Sequence, residues 1–417
     1  MKKIGVCCIV LILSTFCLQA AAETVKIGLN YPKSGNYKEQ GLQQLQGAQM
    51  ALEEINAAGG ILGKTVELVT RNTASKPDKG VRNVEKMVRQ DGVKMVFGGS
   101  SSAVAIASGK KAKELGVIYF GTLTYSNATT GTEGHTHMFR ETYNAWMAAK
   151  VLAKYLNKEH SGKKFFYITA DYTWGWSTED SFRLFTNTND SDSHPGVKTP
   201  FPKSRLSDFK NALQSAQASG AEVLVLVLFG NDMVAALSTA HKMGLKKEMA
   251  IVVPNLTLSM VRTAGPNTME GVVGAVPWAW NVPFAYNYDQ GKRFVNDFAR
   301  RYGSYPSSSA ASAYAILHQY KEAAERAGSF DSSKVIKALE GHSYTMLKDE
   351  QQWRAFDHQN IQTVYAVRGQ GLEEILSDRF NLDYFEIIDS LPGVEAAKSH
   401  EEWKAERSEA NRPDVLN

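Results

Sequence analysis

Short apolar runs alternate with longer stretches of helical periodicity along most of the chain, and this alternation predicts βα units around mostly parallel sheets. In the first long helical stretch, apolar residues recur at the spacing of one helix face, from Leu42 through Leu52 to Ile55. This first part predicts one doubly wound unit, with strands at 25–29, 65–70, 94–99 and 116–121 and helices at 79–90 and 102–114.

A second series of alternating elements follows the first. The run VLVLVLF at 223–229 has seven consecutive apolar residues, which indicates a strand covered by helices on both faces. The other predicted strands are 165–169, 251–254 and 271–276, and the predicted helices are 145–157, 286–303, 308–327 and 332–340. The pattern therefore predicts an α/β protein with two lobes of comparable size.

The last part of the chain has a different character. Residues 362–369 alternate like a strand, and residues 394–412 form a highly charged stretch of predicted helix. We assign 386–417 to a charged C-terminal tail and expect a solvated, partly frayed terminus rather than a segment that binds a partner.

The first 22 residues have the pattern of a secretory signal peptide. Two lysines precede an apolar run from Ile4 to Leu18, and small residues ending at Ala22 form a cleavage site, so we expect the mature chain to begin near Glu23. The apolar run is shorter than the roughly 20 residues that a membrane-spanning helix needs. We therefore expect export rather than a membrane anchor.

All three cysteines, Cys7, Cys8 and Cys17, lie in this segment, so the mature chain has neither a disulfide nor a cysteine nucleophile. Cys17 follows Phe16, a bulky residue where lipoprotein signals have a small one. We therefore predict a soluble protein of the periplasm without a lipid anchor.

Composition and charge exclude further classes of protein. The chain has 417 residues, 43% hydrophobic and 22% charged, which is typical of folded globular domains. Its 47 Lys and Arg against 43 Asp and Glu give a net charge of +4, and loss of Lys2 and Lys3 with the signal peptide leaves +2. Nucleic-acid binding normally requires a strongly basic surface, so we expect no nucleic-acid partner.

The sequence contains partial matches to motifs of catalysis and metal binding, but none of them is complete. The segment GILGKT at 60–65 resembles a phosphate-binding loop, but Ala58 replaces the first glycine, and the segment follows a helix and precedes a strand, which is the wrong order. The S-x-x-K match at 108–111 lies inside a predicted helix and has no partner motif. His135 and His137 have no recognisable third ligand. We therefore predict a protein that is not an enzyme and needs no metal or cofactor.

Candidate binding residues lie where predicted strands end, because ligands of open parallel sheets bind in the crevice outside the carboxyl ends of the strands. Ser100 to Ser102 also begin a predicted helix, whose free N–H groups suit a carboxylate, although helix capping alone would also explain these serines. Tryptophans in these loops would form the apolar walls of a pocket or belong to the core. The strand-end residues that we single out on this basis are Tyr31, Ser100 to Ser102, Thr122 to Tyr125, Tyr172, Trp174 and Trp278.

Several segments carry a resemblance to a known family. They are IGLNYPKSG (27–35), GAQMALEEINAAGGILGKTVELV (47–69), FGGSSSAVA (97–105), FFYITADYTWG (165–175) and WRAFDHQ (353–359). These segments resemble the type I periplasmic binding proteins of ABC importers, in the group that binds leucine, isoleucine, valine and amides. The resemblance implies two doubly wound parallel-sheet lobes joined by a three-segment hinge, with lobe one at 24–142 and 275–345 and lobe two at 143–274 and 346–385.

The resemblance also implies where the ligand binds. In this family, hydroxyl and N–H groups of lobe one hold the ligand's carboxylate or amide, and the corresponding residues here are Ser101, Ser102, Leu123 and Tyr125, with Thr122 and Thr124 adjacent. An aromatic residue before a glycine of lobe two corresponds to Trp174, and a further contact falls near Phe229 to Asp232.

One position departs from the family. In members that bind amino acids, an acidic residue after the strand matching 251–254 neutralises the ligand's ammonium, whereas this chain has Asn255. An ammonium buried without a counter-charge would be costly. Either Asp232 or Asp171 replaces that acid, or the ligand is an amide, a flat carboxylate or an aromatic acid rather than an ordinary α-amino acid.

These observations predict the extracytoplasmic substrate-binding protein of an ABC importer. It captures a small polar solute by hinge closure, such as a branched-chain amino acid, an amide or a small or aromatic carboxylate, and delivers it to permease subunits in the inner membrane. One alternative is a ligand-sensing receptor subunit of the same fold that signals to a membrane partner. Another is a periplasmic enzyme, which would require a perturbed acid, base or nucleophile in the cleft. We expect a monomer.

Overall fold

The computed structural model describes residues 23–99 and 101–417. The predicted signal peptide at 1–22, with its three cysteines, and Ser100 lie outside the described residues. Across those two ranges, no helix is long and apolar enough to cross a membrane. The first elements in chain order are β1 (Thr24–Tyr31), α1 (Lys38–Ala57), β2 (Thr65–Asn72), α2 (Pro77–Arg89), β3 (Met95–Gly98), α3 (Ser102–Glu114), β4 (Ile118–Gly121), a 3₁₀ turn (Asn127–Thr129) and β5 (Met138–Arg140).

Strands β1 to β5 form one parallel sheet in the order β2-β1-β3-β4-β5. The register places Ile27 of β1 opposite Met95 of β3. Every residue of β3 and β4 is buried, because helices cover both faces of a doubly wound sheet. The doubly wound unit predicted for this part of the chain is confirmed, and it forms the core of lobe one.

The middle of the chain forms the second sheet. Its elements are α4 (Ala145–Glu159), β6 (Phe165–Ala170), α5 (Thr173–Thr186), β7 (Gly196–Thr199), α6 (Leu206–Ala218), β8 (Val223–Val227), α7 (Asn231–Lys242), a 3₁₀ turn (Leu245–Lys247), β9 (Ala250–Val253), α8 (Leu258–Ala264), α9 (Pro266–Met269) and β10 (Val273–Val276). The strands pair in parallel in the order β10-β9-β8-β6-β7. All five residues of β8 are buried, as expected for a strand with both faces covered.

The remaining elements complete both lobes. They are α10 (Val282–Ala285), α11 (Asp289–Tyr302), α12 (Ser308–Ala327), α13 (Ser332–Leu339), β11 (Ser343–Tyr344), β12 (Gln351–Trp353), β13 (Asn360–Ile361), β14 (Val364–Gly369), α14 (Leu372–Ser377), β15 (Phe385–Leu391), α15 (Gly393–Ala396) and α16 (His400–Glu409). Helix α12 lies on α1 of lobe one, where Tyr314 Oη donates a hydrogen bond to Glu54 Oε2 at 2.5 Å. Strands β14 and β15 extend the second sheet beyond β10 in antiparallel orientation.

The chain passes between the two lobes at three places that together form the hinge. These crossings lie between β5 and α4, between β10 and the α11–α12 region, and between β13 and β14. The small antiparallel sheet β11-β12-β13 lies beside the hinge, and its Trp353 packs edge-on against Phe120 and Phe139 of lobe one. The predicted architecture of two α/β lobes and a three-segment hinge is thus confirmed.

The C-terminal region differs from the solvated tail that we expected for 386–417. Strand β15 pairs with β14, so residues up to Leu391 belong to the second sheet. Helix α16 begins at a capping box between Ser399 and Glu402, and its Trp403 is only 2% exposed, with Nε1 donating to the Thr130 carbonyl of lobe one at 2.9 Å. The high charge of this stretch concealed one buried helix face, and the segment therefore folds onto the protein.

Candidate ligand-binding cleft

Residues that follow the strands of lobe one meet residues that follow the strands of lobe two, and the lobes enclose a cleft between them. Tyr37 Oη of lobe one lies 3.4 Å from Tyr172 Oη of lobe two. The Ser126 hydroxyl of lobe one lies 3.1 Å from the Thr173 hydroxyl of lobe two. Because these hydroxyls are within contact distance, the structure is that of a closed cleft.

Lobe one contributes the N-terminus of α3 to this cleft. Ser101 is the N-cap residue, in extended conformation, and its side chain makes no capping hydrogen bond. The Ser102 hydroxyl accepts a hydrogen bond from the Ser126 backbone N–H at 3.0 Å. Both serines are 2% exposed. Helix N–H groups at such an end, together with the helix dipole, attract a carboxylate or a carbonyl oxygen.

A buried arginine holds the loop that follows β4 in position. Arg140 is fully buried, its Nη1 donates to the Thr124 carbonyl at 3.3 Å, and its Nη2 donates to the Thr130 hydroxyl at 2.7 Å. Its Nε donates to Gln359 Oε1 at 2.6 Å. Burial lowers the pKa of Arg140 to about 9. Sequence reasoning missed this residue, which positions the loop carrying the predicted contacts.

The predicted residues of that loop divide into two groups. The Thr122 hydroxyl donates to the Gly99 carbonyl at 2.6 Å, and the Thr124 hydroxyl lies 2.7 Å from that of Thr129. Both threonine hydroxyls are therefore used within lobe one. Leu123 and Tyr125 are buried, at 1% and 3% exposure, and Tyr125 reaches across to the aromatic residues of lobe two.

Aromatic rings from both lobes line the front of the cleft. Phe229 lies at its centre, with ring centroids at 5.4 Å from Tyr37, 5.8 Å from Tyr125 and 6.1 Å from Trp174. Tyr172 stacks on Phe201 at 4.1 Å. The structure thus brings the predicted Tyr125, Tyr172, Trp174 and Phe229 together and adds Tyr37 and Phe201. The strand-end argument missed Tyr37 because it lies well beyond the end of β1, and Phe201 because it follows β7, a strand that the pattern did not predict.

Trp174 presents a hydrogen-bond donor without a partner. Helix α5 begins directly after β6, and this tight turn requires Gly175, where a Cβ would lie 1.9 Å from the Ala170 carbonyl oxygen. The turn buries the adjacent Trp174 to 1% exposure, and its indole Nε1 has no hydrogen-bond partner within the described part of the chain. An unpaired buried donor costs about 1–3 kcal/mol, which an acceptor on a bound solute would recover.

Asp232 lies at the contact between the lobes. It is in the first turn of α7 and is 9% exposed. Burial raises the pKa of the Tyr37 and Tyr172 hydroxyls, and the Asp232 charge adds a smaller contribution. Burial raises the pKa of the Asp232 carboxyl, and only the Ser204 hydroxyl works against this effect among the residues described. Asp171, by contrast, is exposed and accepts a hydrogen bond from Trp176 Nε1 at 2.8 Å.

Three further predicted residues lie around the cleft. Asn255 is 1% exposed, its Oδ1 accepts from Tyr143 Oη at 2.8 Å, and its Nδ2 has no partner in the described ranges. Tyr31 is 5% exposed at the end of β1, and burial raises the pKa of its hydroxyl. Trp278 lies at the hinge, where its Nε1 donates to the Leu347 carbonyl at 3.4 Å.

A cavity of about 20 Å³ lies at the hinge, and we call it the hinge cavity. Trp278 forms part of its wall, and its polar lining consists of Glu141, Ser308, Ser312, Lys348, Gln351 and Gln362. The α12 serines were not predicted, because they follow no strand and reach the cleft only through the packing of α12 on lobe one. A polar N-terminus on an otherwise Ala-rich helix, SSAASAYA, was the available signal.

Lys348 joins the crossing segments of the hinge. It is 2% exposed, and its Nζ donates to the Pro277 carbonyl at 2.7 Å, to Gln362 Oε1 at 2.6 Å and to the Thr363 carbonyl at 2.8 Å. Gln362 Nε2 donates to the Glu141 carbonyl, so all three crossings are linked. Burial lowers the pKa of Lys348 to about 8.

Comparison with known proteins identifies the family. The model of the periplasmic binding protein family matches residues 24–373. The chain belongs to the periplasmic binding proteins. This family is one of extracytoplasmic solute-binding proteins rather than enzymes, and the similarity predicted from the sequence is confirmed.

Individual relatives agree with this assignment. The Leu/Ile/Val-binding protein homolog 8 of Brucella suis biovar 1 (strain 1330) is 29% identical over 313 residues, which are 71% of this chain and 74% of the relative. A crystal structure of a periplasmic binding protein from Burkholderia mallei has a TM-score of 0.82 at 26% identity, covering 91% of this chain and 98% of its own. A solute-binding protein of an ABC transporter from Rhodopseudomonas palustris BisB5, solved with 3,4-dihydroxybenzoic acid, has a TM-score of 0.77 at 17% identity and covers 89% and 98%.

Proposed function

We propose that this protein is the substrate-binding component of an ABC importer, which captures a small solute with a carboxylate and an ammonium group and delivers it to permease subunits of the membrane. Closure follows from a shift in populations, because a solute that contacts both lobes favours the closed form by its differential affinity for that form. The protein itself makes and breaks no covalent bond in this process.

The observation that carries the proposal is the buried Asp232 of lobe two, whose charge acts on Tyr37 of lobe one. Burial raises the pKa of this carboxylate in the closed structure, where its charge also acts on the Tyr37 and Tyr172 hydroxyls. A buried carboxylate is costly unless a cation pairs with it. An ammonium on the solute would supply that cation, while the N–H groups of α3 would bind the solute's carboxylate.

In this arrangement Asp232 takes the role of the acidic residue that neutralises the ligand's ammonium in amino-acid-binding relatives, where this chain has Asn255. Of the two replacements considered, Asp171 is exposed and already bonded to Trp176, whereas Asp232 is buried at the cleft. The name of the Brucella suis relative, a Leu/Ile/Val-binding protein homolog, supports an amino acid as the solute.

A second class of solute is an aromatic or small carboxylate, or an amide, without an ammonium. The unpaired Trp174 Nε1 favours a hydrogen-bond acceptor on the lobe-two side, and the rings around Phe229 suit a flat solute. The Rhodopseudomonas palustris protein with bound 3,4-dihydroxybenzoic acid supports this alternative at the level of the fold.

A thermal-shift and calorimetric panel on refolded, ligand-free residues 23–417 separates the two classes. The panel contains L-amino acids, their amides, aliphatic carboxylates and benzoates, and a solute that binds the native state in excess raises the melting temperature. We expect L-amino acids to bind and the variant Asp232→Asn to weaken them by at least about thirtyfold, since removal of one member of a buried charge pair costs about 2 kcal/mol or more.

The variant Asp171→Asn is the matched control, and its affinity should equal that of the wild type. Equal affinity for amino acids in Asp232→Asn and wild type would contradict the assigned role of Asp232. Binding of benzoates alone would select the second class of solute. No shift with any member of the panel would contradict the proposed solute classes.

A further inference from the structure

Five buried side-chain hydroxyls near the hinge form no hydrogen bond with any other described residue. They are Tyr125, Thr142, Ser308, Ser309 and Ser312. Each is at most 4% exposed. Buried hydroxyls are normally paired, because an unpaired one forfeits the hydrogen bonds that it made with water. Thr142 and Ser308 lie beside Tyr125 without forming a hydrogen bond of good geometry, so this group of hydroxyls retains hydrogen-bonding capacity for a ligand.

These hydroxyls connect the cleft with the hinge cavity. The Tyr125 ring contacts Phe229 in the cleft, while the neighbouring Thr142 and Ser308 hydroxyls lower the pKa of the Tyr125 hydroxyl, which burial raises. Ser308 and Ser312 line the hinge cavity itself. Ser308 lies beside the Tyr125 hydroxyl and Ser312 beside the Glu141 carboxyl, but neither serine hydroxyl has the geometry of a hydrogen bond with a described residue. A solute bound against Tyr125 thus lies next to the cavity, and a group at its far end would meet these serines.

The charges around the hinge cavity determine which group suits it. Glu141 lines the cavity with Lys348. Burial raises the pKa of the Glu141 carboxyl, while the nearby Ser312 hydroxyl and, to a smaller extent, the Lys348 charge lower it. The Lys348 ammonium already donates to three oxygens, so it offers no further proton to a ligand. The opposite charges of Glu141 and Lys348 offset each other, and the cavity therefore disfavours a further net charge.

We propose that the hinge cavity is a subsite for a neutral hydroxyl or carboxamide group at the far end of the solute, bound by Ser308, Ser312 and Glu141. This inference rests on the proposed function and specifies the solute further, as one with a neutral polar side chain rather than a purely aliphatic one. The volume of about 20 Å³ accommodates one small polar group or one water molecule.

Calorimetry with pairs of probes that differ by one hydroxyl tests this subsite. L-threonine and L-valine have nearly the same shape, and 3-hydroxybenzoate and benzoate provide the same comparison for a solute without an ammonium. The wild type should bind the hydroxylated member of the pair that it recognises about tenfold more tightly, as expected for one additional buried hydrogen bond. The variants Ser308→Ala and Ser312→Ala should reduce this preference several-fold while retaining affinity for the apolar member.

The matched control is Ser215→Ala, which removes an exposed hydroxyl of α6 that donates to the Asn211 carbonyl. Its preference should equal that of the wild type. Equal binding of both members by the wild type, or an equal loss for both in Ser312→Ala, would overturn the subsite and leave solute capture intact. A crystal structure with a solute in the cleft and only water in the cavity would also overturn it. Failure of every probe to bind would contradict the proposed function instead.

Discussion

The front of the cleft and its hinge end are built in different ways. At the front, rings from two separate lobes meet, with Tyr37 on one side and Phe229 and Trp174 on the other. At the hinge end, two crossing segments supply Glu141 and Gln362, and Lys348, between β11 and β12, bonds to Gln362. The front is therefore assembled from two separate lobes, whereas the hinge end is built from segments that are bonded to one another.

This difference suggests separate tasks for the two regions. We expect closure to be favoured where a solute offsets the burial of Asp232 and pairs with Trp174 Nε1, because both groups are buried in the closed structure. The hinge end instead provides a fixed polar surface for one end of the solute. Substitutions at the front should change the open–closed equilibrium, and substitutions at the hinge should change stability or selectivity.

The largest expected effect concerns the hinge lysine. Because Lys348 has a pKa of about 8 in the folded protein, against 10.5 as its ordinary value, the unfolded chain holds more protons between these pH values. The stability contributed by this group therefore rises with pH across that window. The free energy of unfolding of the wild type should gain about 3 kcal/mol over that of Lys348→Met between pH 8 and pH 10.5.

Urea denaturation across this pH range measures the difference. Lys246→Met is the comparison variant, since Lys246 also donates to backbone carbonyls but is only half-buried. Burial lowers the pKa of Lys246 too, so the difference between wild type and Lys246→Met should rise with pH in the same direction but by less. A constant difference between wild type and Lys348→Met would contradict the buried-charge account of the hinge.

An effect of intermediate size is expected at Gly230, where the lobes approach each other. A Cβ at this residue would lie 2.7 Å from the Tyr37 ring and 3.0 Å from the Asn36 carbonyl oxygen. Gly230→Ala should therefore oppose closure by about 2 kcal/mol, the typical cost of overpacking, and weaken solute binding roughly thirtyfold. Small-angle scattering should show a larger radius of gyration in the presence of solute than for the wild type.

The variant Gly220→Ala is the control that distinguishes an effect on closure from the effect of backbone strain. Gly220 has a positive φ of 69°, close to the 63° of Gly230, but no atom lies within 4 Å of its Cβ position. Both variants should lose stability through strain, more so Gly230→Ala because ψ is −137° at Gly230, and only Gly230→Ala should lose affinity. Equal affinity in the two variants would show that the Tyr37 contact does not limit closure.

The smallest of these effects is expected at Trp174. Trp174→Phe retains an aromatic ring but removes the unpaired indole N–H, so binding should weaken about tenfold when the solute supplies an acceptor. Calorimetry measures the change, and Trp176→Phe is its control, because Trp176 is 46% exposed and donates to Asp171 at the surface. An unchanged affinity in Trp174→Phe would remove this N–H group from the site.

Much of the fold was predictable because its signals are local. A few consecutive residues are enough to recognise the buried run at 223–227. The same is true of the polar loops after β3, β4 and β6. Local signals were less useful for predicting which side chains form the binding site. Whether a threonine hydroxyl faces a ligand or bonds within its loop, as Thr122 does with Gly99, depends on packing that no spacing encodes.

Residues brought in from distant parts of the chain could not be predicted in this way. Ser308 and Ser312 reach the hinge because α12 lies on α1, and Glu141 becomes significant only beside Lys348. The C-terminal helix was misjudged for a related reason. The many charged residues of this stretch describe the exposed face of the helix. They do not reveal that Trp403 is buried and donates a hydrogen bond to the Thr130 carbonyl.

A crystal structure of residues 23–417 with the tightest-binding solute of the panel tests the central claim most directly. The account predicts one solute per chain between the closed lobes, with its carboxylate at the α3 N-terminus and its ammonium within hydrogen-bond distance of Asp232. A solute bound outside the cleft, or one bound within it without contact to Asp232 or α3, would contradict the account.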